Sequence, residues 1–66
     1  MAKIYQAHIS GVTKDQFYDN TFMSVECKHK YGQPTELIAT YHLKRYLRED
    51  MQSLKEVIPT MTFSIY

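Results

Sequence analysis

The chain has 66 residues, a formal net charge of +1, a single cysteine and three histidines. That length holds one domain, residues 1–66, and a domain so small buries only about 60% of the surface its unfolded chain exposes, so tight packing, self-association or a partner must complete its stability. A lone Cys27 excludes an internal disulfide, and the scattered His8, His29 and His42 argue against structural zinc; a charge near zero gives no global pull toward nucleic acid.

Several features bear on location. The segment MAKIYQAHISG has no apolar run of secretory length. No stretch approaches the roughly 20 apolar residues of a membrane span. One unpaired cysteine fits a reducing compartment. The expectation is a cytoplasmic protein without membrane association.

Lys3 to Ser10 alternates, with Tyr5, Ala7 and Ile9 on one face and Ile4, Gln6 and His8 on the other, which predicts a half-buried strand ended by Gly11. Val12 to Asn20 is polar and irregular and reads as a loop, with Thr13 and Gln16 spaced to cap one helical turn. Thr21 to Lys30 alternates again, Met23, Val25 and Cys27 inward, Phe22, Ser24, Glu26 and Lys28 outward. Tyr31-Gly32-Gln33-Pro34 is a turn.

From Thr35, a candidate N-cap, the spacing predicts a helix to about Gln52, or unbroken to Val57. Leu43, Leu47, Met51 and Leu54 form its apolar stripe, flanked by Ala39, Thr40 and Tyr46. Pro59 forbids continuation. Thr60 to Tyr66 is a third strand, Met61, Phe63 and Ile65 inward. The predicted class is α+β: a three-stranded antiparallel sheet in the order β-β-α-β, spatial order 2-1-3, with one helix on one face. Strand three would then run parallel to strand two, and both sheet edges would be open to pairing.

Three groups of residues are candidates for function. In YHLKRYLRED, a helix beginning at Thr35 places Tyr41, Lys44, Arg45 and Arg48 within about 100° of one another. Bases around an aromatic can hold phosphate or dock on a protein, whereas Glu49 and Asp50 directly after them, and a possible Arg45–Glu49 pair, describe a solvated face. The second group is the open sheet face, where Phe22 and Tyr66 stand at opposite ends and lack the central aromatic pair of a base-stacking platform; it suits a partner surface better. The third is Cys27 with His29, two apart on one strand, short of the ligands a metal needs and of the oriented acid a nucleophile needs. Cys27 fits better as a small core residue.

No glycine-rich phosphate loop and no paired carboxylates are visible, so neither a catalytic centre nor a cofactor is expected. Six tyrosines suit either strands or interfaces. In size and style the chain is similar to small phage and mobile-element proteins that block host complexes, a resemblance without a residue signature. The two open sheet edges, the tyrosines and the near-neutral mixed-charge surface point to a non-enzymatic protein-binding module, an inhibitor or regulator docking on a larger host complex through Tyr41, Lys44, Arg45 and Arg48, with Phe22 and Tyr66 in second place. The alternative is a small dimeric nucleic-acid-binding protein using the basic helix face. Either a homodimer or a partner chain is expected to complete the stability of so short a chain, and a structural subunit of a virion or other assembly is a third reading.

Overall fold

The computed structural model describes residues 4–65. Among them the order is β1 (Tyr5–Ser10), α1 (Lys14–Asn20), β2 (Glu26–His29), β3 (Glu36–Tyr41), α2 (Lys44–Val57) and β4 (Thr62–Ile65). The α+β class stands, but the sheet has four strands in the order β2-β3-β1-β4, and there are two helices. Every neighbouring pair is antiparallel. This β-α-β-β-α-β connectivity is the split βαβ, or ferredoxin-like, arrangement, which by itself says nothing of function.

The largest correction concerns Glu36–Tyr41, expected in the helix and found as a central strand. Leu37, Ala39 and Tyr41 are buried while Glu36, Ile38 and Thr40 are half-buried, a period of two that the apolar run equally allows. Thr35 is therefore no N-cap. The helix begins at Lys44 after Leu43, which caps with no side-chain hydrogen bond and is 45% exposed. The rest of the stripe holds: Leu47, Met51 and Leu54 are buried. The helix runs unbroken to Val57, and the Ile58 N–H bonds Leu54 O at 2.7 Å.

β3 also changes the sheet order. β1 is central and pairs antiparallel with β4, as expected. β3 lies between β1 and β2, so β2 runs parallel to β1 without touching it, and opposite to β4 rather than parallel to it.

Val12–Asn20 is more ordered than a loop. Thr13 Oγ1 accepts from the Gln16 N–H at 3.2 Å, and Gln16 Oε1 accepts from the Thr13 N–H at 3.0 Å. This reciprocal box starts a two-turn helix whose one buried residue is Phe17. Its last carbonyls are met by side chains: Asn20 Nδ2 donates to Gln16 O at 2.8 Å and Thr21 Oγ1 to Phe17 O at 2.7 Å.

The second strand is shorter than the alternation suggests. Residues 21–25 form a loop, and Met23 and Val25, expected in the core, are exposed. Cys27 is buried as expected. The β2–β3 connection turns through two left-handed residues, Tyr31 at φ 54° and Gly32 at φ 69°, the backbone of the primed hairpin turns.

Both helices lie on one sheet face. Its side chains Ala7, Ile9, Cys27, Leu37, Ala39 and Tyr41 meet Phe17, Leu47, Met51 and Leu54 in a single core. Met61 is buried there too, while Phe63 and Ile65 point to the same side but stay partly exposed, because α2 lies over β1 and β3 and leaves β4 largely uncovered.

Candidate functional site

The structure separates the residues that the sequence groups together. Tyr41 is fully buried in β3 and cannot meet a partner. Lys44, Arg45 and Arg48 are exposed on α2 and, with Glu49 and Gln52, border a shallow depression. Arg45 packs over the Tyr46 ring, 5.4 Å from its centre; no Arg45–Glu49 ion pair forms among the described residues. Tyr66 lies outside the described residues. Phe22 is 86% exposed, in the loop rather than on the sheet face.

That loop is held from beneath. Asp50, near the middle of α2, is only 3% exposed. Its carboxylate oxygens accept from the Phe22 N–H at 3.3 Å and the Met23 N–H at 3.2 Å. A buried carboxylate must be hydrogen-bonded, and here the donors are two successive amides of the loop. The Phe22 backbone is thereby tied to α2 while its ring projects into water, beside exposed Met23 and Val25.

The Tyr41 hydroxyl completes this buried polar corner. Burial foremost, and then the Asp50 carboxylate nearby, hold its pKa above the usual tyrosine range. Yet the two groups fall outside hydrogen-bond geometry, and the hydroxyl has no partner among the described residues.

Phe22 and the bases face different ways. At 100° per residue, Asp50 lies about 160° around α2 from Arg48. The anchored loop therefore flanks one side of the helix, and Lys44 and Arg48 flank the other.

On the open sheet face, Glu36 Oε1 accepts from Ser10 Oγ at 2.9 Å and from His8 Nε2 at 2.8 Å. An ionised carboxylate only accepts, so Nε2 carries the proton. The Ser10 bond foremost, then His8, lowers the Glu36 pKa. Serine, histidine and acid are all present, but the acid is in the middle. Both donors are spent on it and no base reaches Ser10 Oγ, the reverse of a nucleophile–base–acid relay. The trio acts as a strut between β1 and β3.

Cys27 and His29 share a face of β2, but Cys27 is buried and His29 exposed. Burial pushes the Cys27 thiol up to about 11, against a smaller lowering by Lys14, so it is a poor nucleophile. Among the described residues no three His, Cys, Asp or Glu side chains are grouped to hold a metal ion, and no helix is long and apolar enough to cross a membrane.

Sequence reasoning missed Asp50, Glu36 and the exposure of Met23 and Val25. One signal was available: Asp50 falls on the border of the Leu47–Met51–Leu54 stripe, where a charge needs internal partners. No protein-family model, no curated protein and no solved structure matches the chain.

Proposed function

We propose that this protein is a small non-enzymatic protein-binding module, an inhibitor or regulator of a larger assembly, with the Phe22–Val25 loop as its anchor. One observation carries the reading: an 86% exposed Phe22 stands on a backbone tied at two amides to a buried carboxylate. The ring gains nothing from its own fold in that position. Burying an aromatic of this kind in a partner is worth roughly 1.5–3 kcal/mol, and a loop already ordered loses little entropy on docking. Aromatic anchors in held geometry are the usual centres of protein interfaces. The dead-end geometry of Ser10, Glu36 and His8 supports the non-enzymatic part of the reading.

The test is affinity capture from the lysate of the source cells by the wild-type chain and by Phe22→Ala. Phe22→Ala is expected to leave the denaturation midpoint unchanged and to lose a defined protein that the wild type retains. Equal capture by both would remove the loop from the interface.

A second reading, phosphate contact through the helix, draws on Lys44 and Arg48, which make no ion pair among the described residues. It predicts anisotropy-detected binding of labelled DNA or RNA that persists at physiological salt and falls in the Arg45→Glu, Arg48→Glu double variant. That variant is expected to fold normally, since both side chains are exposed.

A further inference from the structure

The two edges of the sheet differ in kind. β2 carries Glu26, Lys28 and His29 among its four residues, a charged pattern that discourages strand addition. β4 reads Thr62-Phe63-Ser64-Ile65, without a charge, and no described residue pairs with its outer side. Every second residue of such an edge turns its N–H and C=O outward.

Beside this edge the described residues form a groove. Phe63 and Ile65 face the helix layer opposite Ile9 and Ala7, yet are 40% and 38% exposed. With Met51 they floor a groove of about 320 Å³ whose wall is Arg48, Gln52 and Lys55. Lys55 Nζ donates to Met61 O at 2.6 Å, which holds the ammonium over the start of β4. Lys44, Arg48 and Lys55 fall within about 40° on the helix, with Glu49 and Glu56 roughly 100° further round. The side toward β4 is therefore cationic.

We propose that β4 and this groove take an extended acidic peptide segment of a partner protein, added to the sheet as a fifth strand. Its backbone pairs with the outer edge of β4. One apolar side chain covers Phe63 and Ile65, and carboxylates on either side of it meet Arg48 and Lys55. The spacing fits: residues four apart in a strand span about 13 Å, and Arg48 and Lys55 are separated by about 10 Å along the helix, within reach of their long side chains.

Charge selects this occupant. A second copy joined edge to edge about a two-fold axis normal to the sheet would bring the Arg48 and Lys55 walls toward each other, like against like. A nucleic acid would meet the cations but leave the open ladder unpaired. The surface is separate from the Phe22 loop, on the other flank of α2, and it extends the protein-binding reading by naming the chemistry of a second contact.

The probe is the fluorescein-labelled heptapeptide Thr-Glu-Thr-Leu-Thr-Glu-Thr, followed by anisotropy and by amide NMR spectra of the protein. Binding is expected to shift the amides of Phe63, Ser64 and Ile65 and those of α2 from Arg48 to Lys55. Affinity should fall about tenfold or more when both glutamates become lysine, when alternate peptide nitrogens are methylated, or in Arg48→Glu. Phe22→Ala should bind the peptide normally, so failure here and failure of the loop reading are distinguishable. Absence of shifts at β4 with millimolar peptide would overturn the proposal, as would equal binding of the lysine peptide. So would a concentration-dependent dimer that protects the β4 amides without peptide, or shifts at the same residues produced by oligothymidine and not by the peptide.

Discussion

Phe22 and Asp50 are 28 residues apart in the chain, and a hydrogen bond from the Phe22 N–H to Asp50 Oδ1 at 3.3 Å joins them. With the companion bond from the Met23 N–H to Oδ2 at 3.2 Å, it fastens the α1–β2 loop to the middle of α2. The same carboxylate thus serves the fold, by pairing with two part-buried amides, and the surface, by fixing where the Phe22 backbone stands.

Removing the carboxylate is expected to cost about 3 kcal/mol in Asp50→Ala, since two charge-assisted bonds are lost and their donors left unpaired. Asp50→Asn keeps one acceptor and is expected to lose about half as much. Urea denaturation measures both, and amide hydrogen exchange at Phe22 and Met23 should quicken in step. An Asp50→Ala protein within about 0.5 kcal/mol of wild type would mean that the clamp does not hold the loop.

Tyr41→Phe is expected to be neutral or stabilising, within about 1 kcal/mol, because it deletes a buried hydroxyl with no partner among the described residues and keeps the ring in the core. Tyr41→Ala, by contrast, should cost about 3–5 kcal/mol through the cavity it leaves. A large loss in Tyr41→Phe would show that the hydroxyl bonds Asp50 in solution.

Cys27 sets an alkaline limit. Its thiol is pushed from 9.0 to about 11 by burial, so the unfolded chain ionises first as pH rises. The contribution to stability is complete below about 9 and is lost between 9 and about 11. Tyr41, also raised by burial, adds to the decline at higher pH. Cys27→Ala should flatten the first part of that decline. At pH 8 a thiol reagent should label the native protein at least about 100-fold more slowly than the urea-unfolded chain; comparable rates would place Cys27 at the surface.

Glu36 acts at the opposite end. Its folded pKa is lowered, by the Ser10 hydrogen bond most and by His8 next. Its contribution is therefore present above the ordinary carboxyl range and is lost as pH falls through the lower folded value. Carboxyl NMR titration should show Ser10→Ala moving Glu36 back toward its ordinary value more than His8→Ala does. The reverse order would make the imidazole the main cause.

Much of the fold is legible in short stretches. The Thr13–Gln16 box is a contact between residues three apart, and it forms where the spacing places it. β1 alternates cleanly, and Tyr31-Gly32 turns where glycine and proline mark a turn. Leu47, Met51 and Leu54 repeat at helical spacing, and Pro59 bounds the helix.

The stretch Glu36–Tyr41 could not be decided in that way. Leu37, Ala39 and Tyr41 satisfy a period of two, while Ala39 and Thr40 followed by Leu43 and Leu47 satisfy a helix, and a short apolar run carries both. Only pairing with β1 on one side and β2 on the other, which satisfies its backbone across the centre of the sheet, favours the strand. That single choice buries Tyr41, brings Glu36 to Ser10 and His8, and moves the basic residues to a helix that starts at Lys44.

By itself, the sequence determined the α+β class, the central place of the first strand and the exposure of the bases on α2, because each rests on contacts or periods within a few residues. The tertiary structure alone decided that Asp50 reaches Phe22 and Met23 and that β4 keeps an uncharged edge beside Arg48 and Lys55. Those relations join segments distant in the chain, and they exist only once the sheet order and the position of α2 are set.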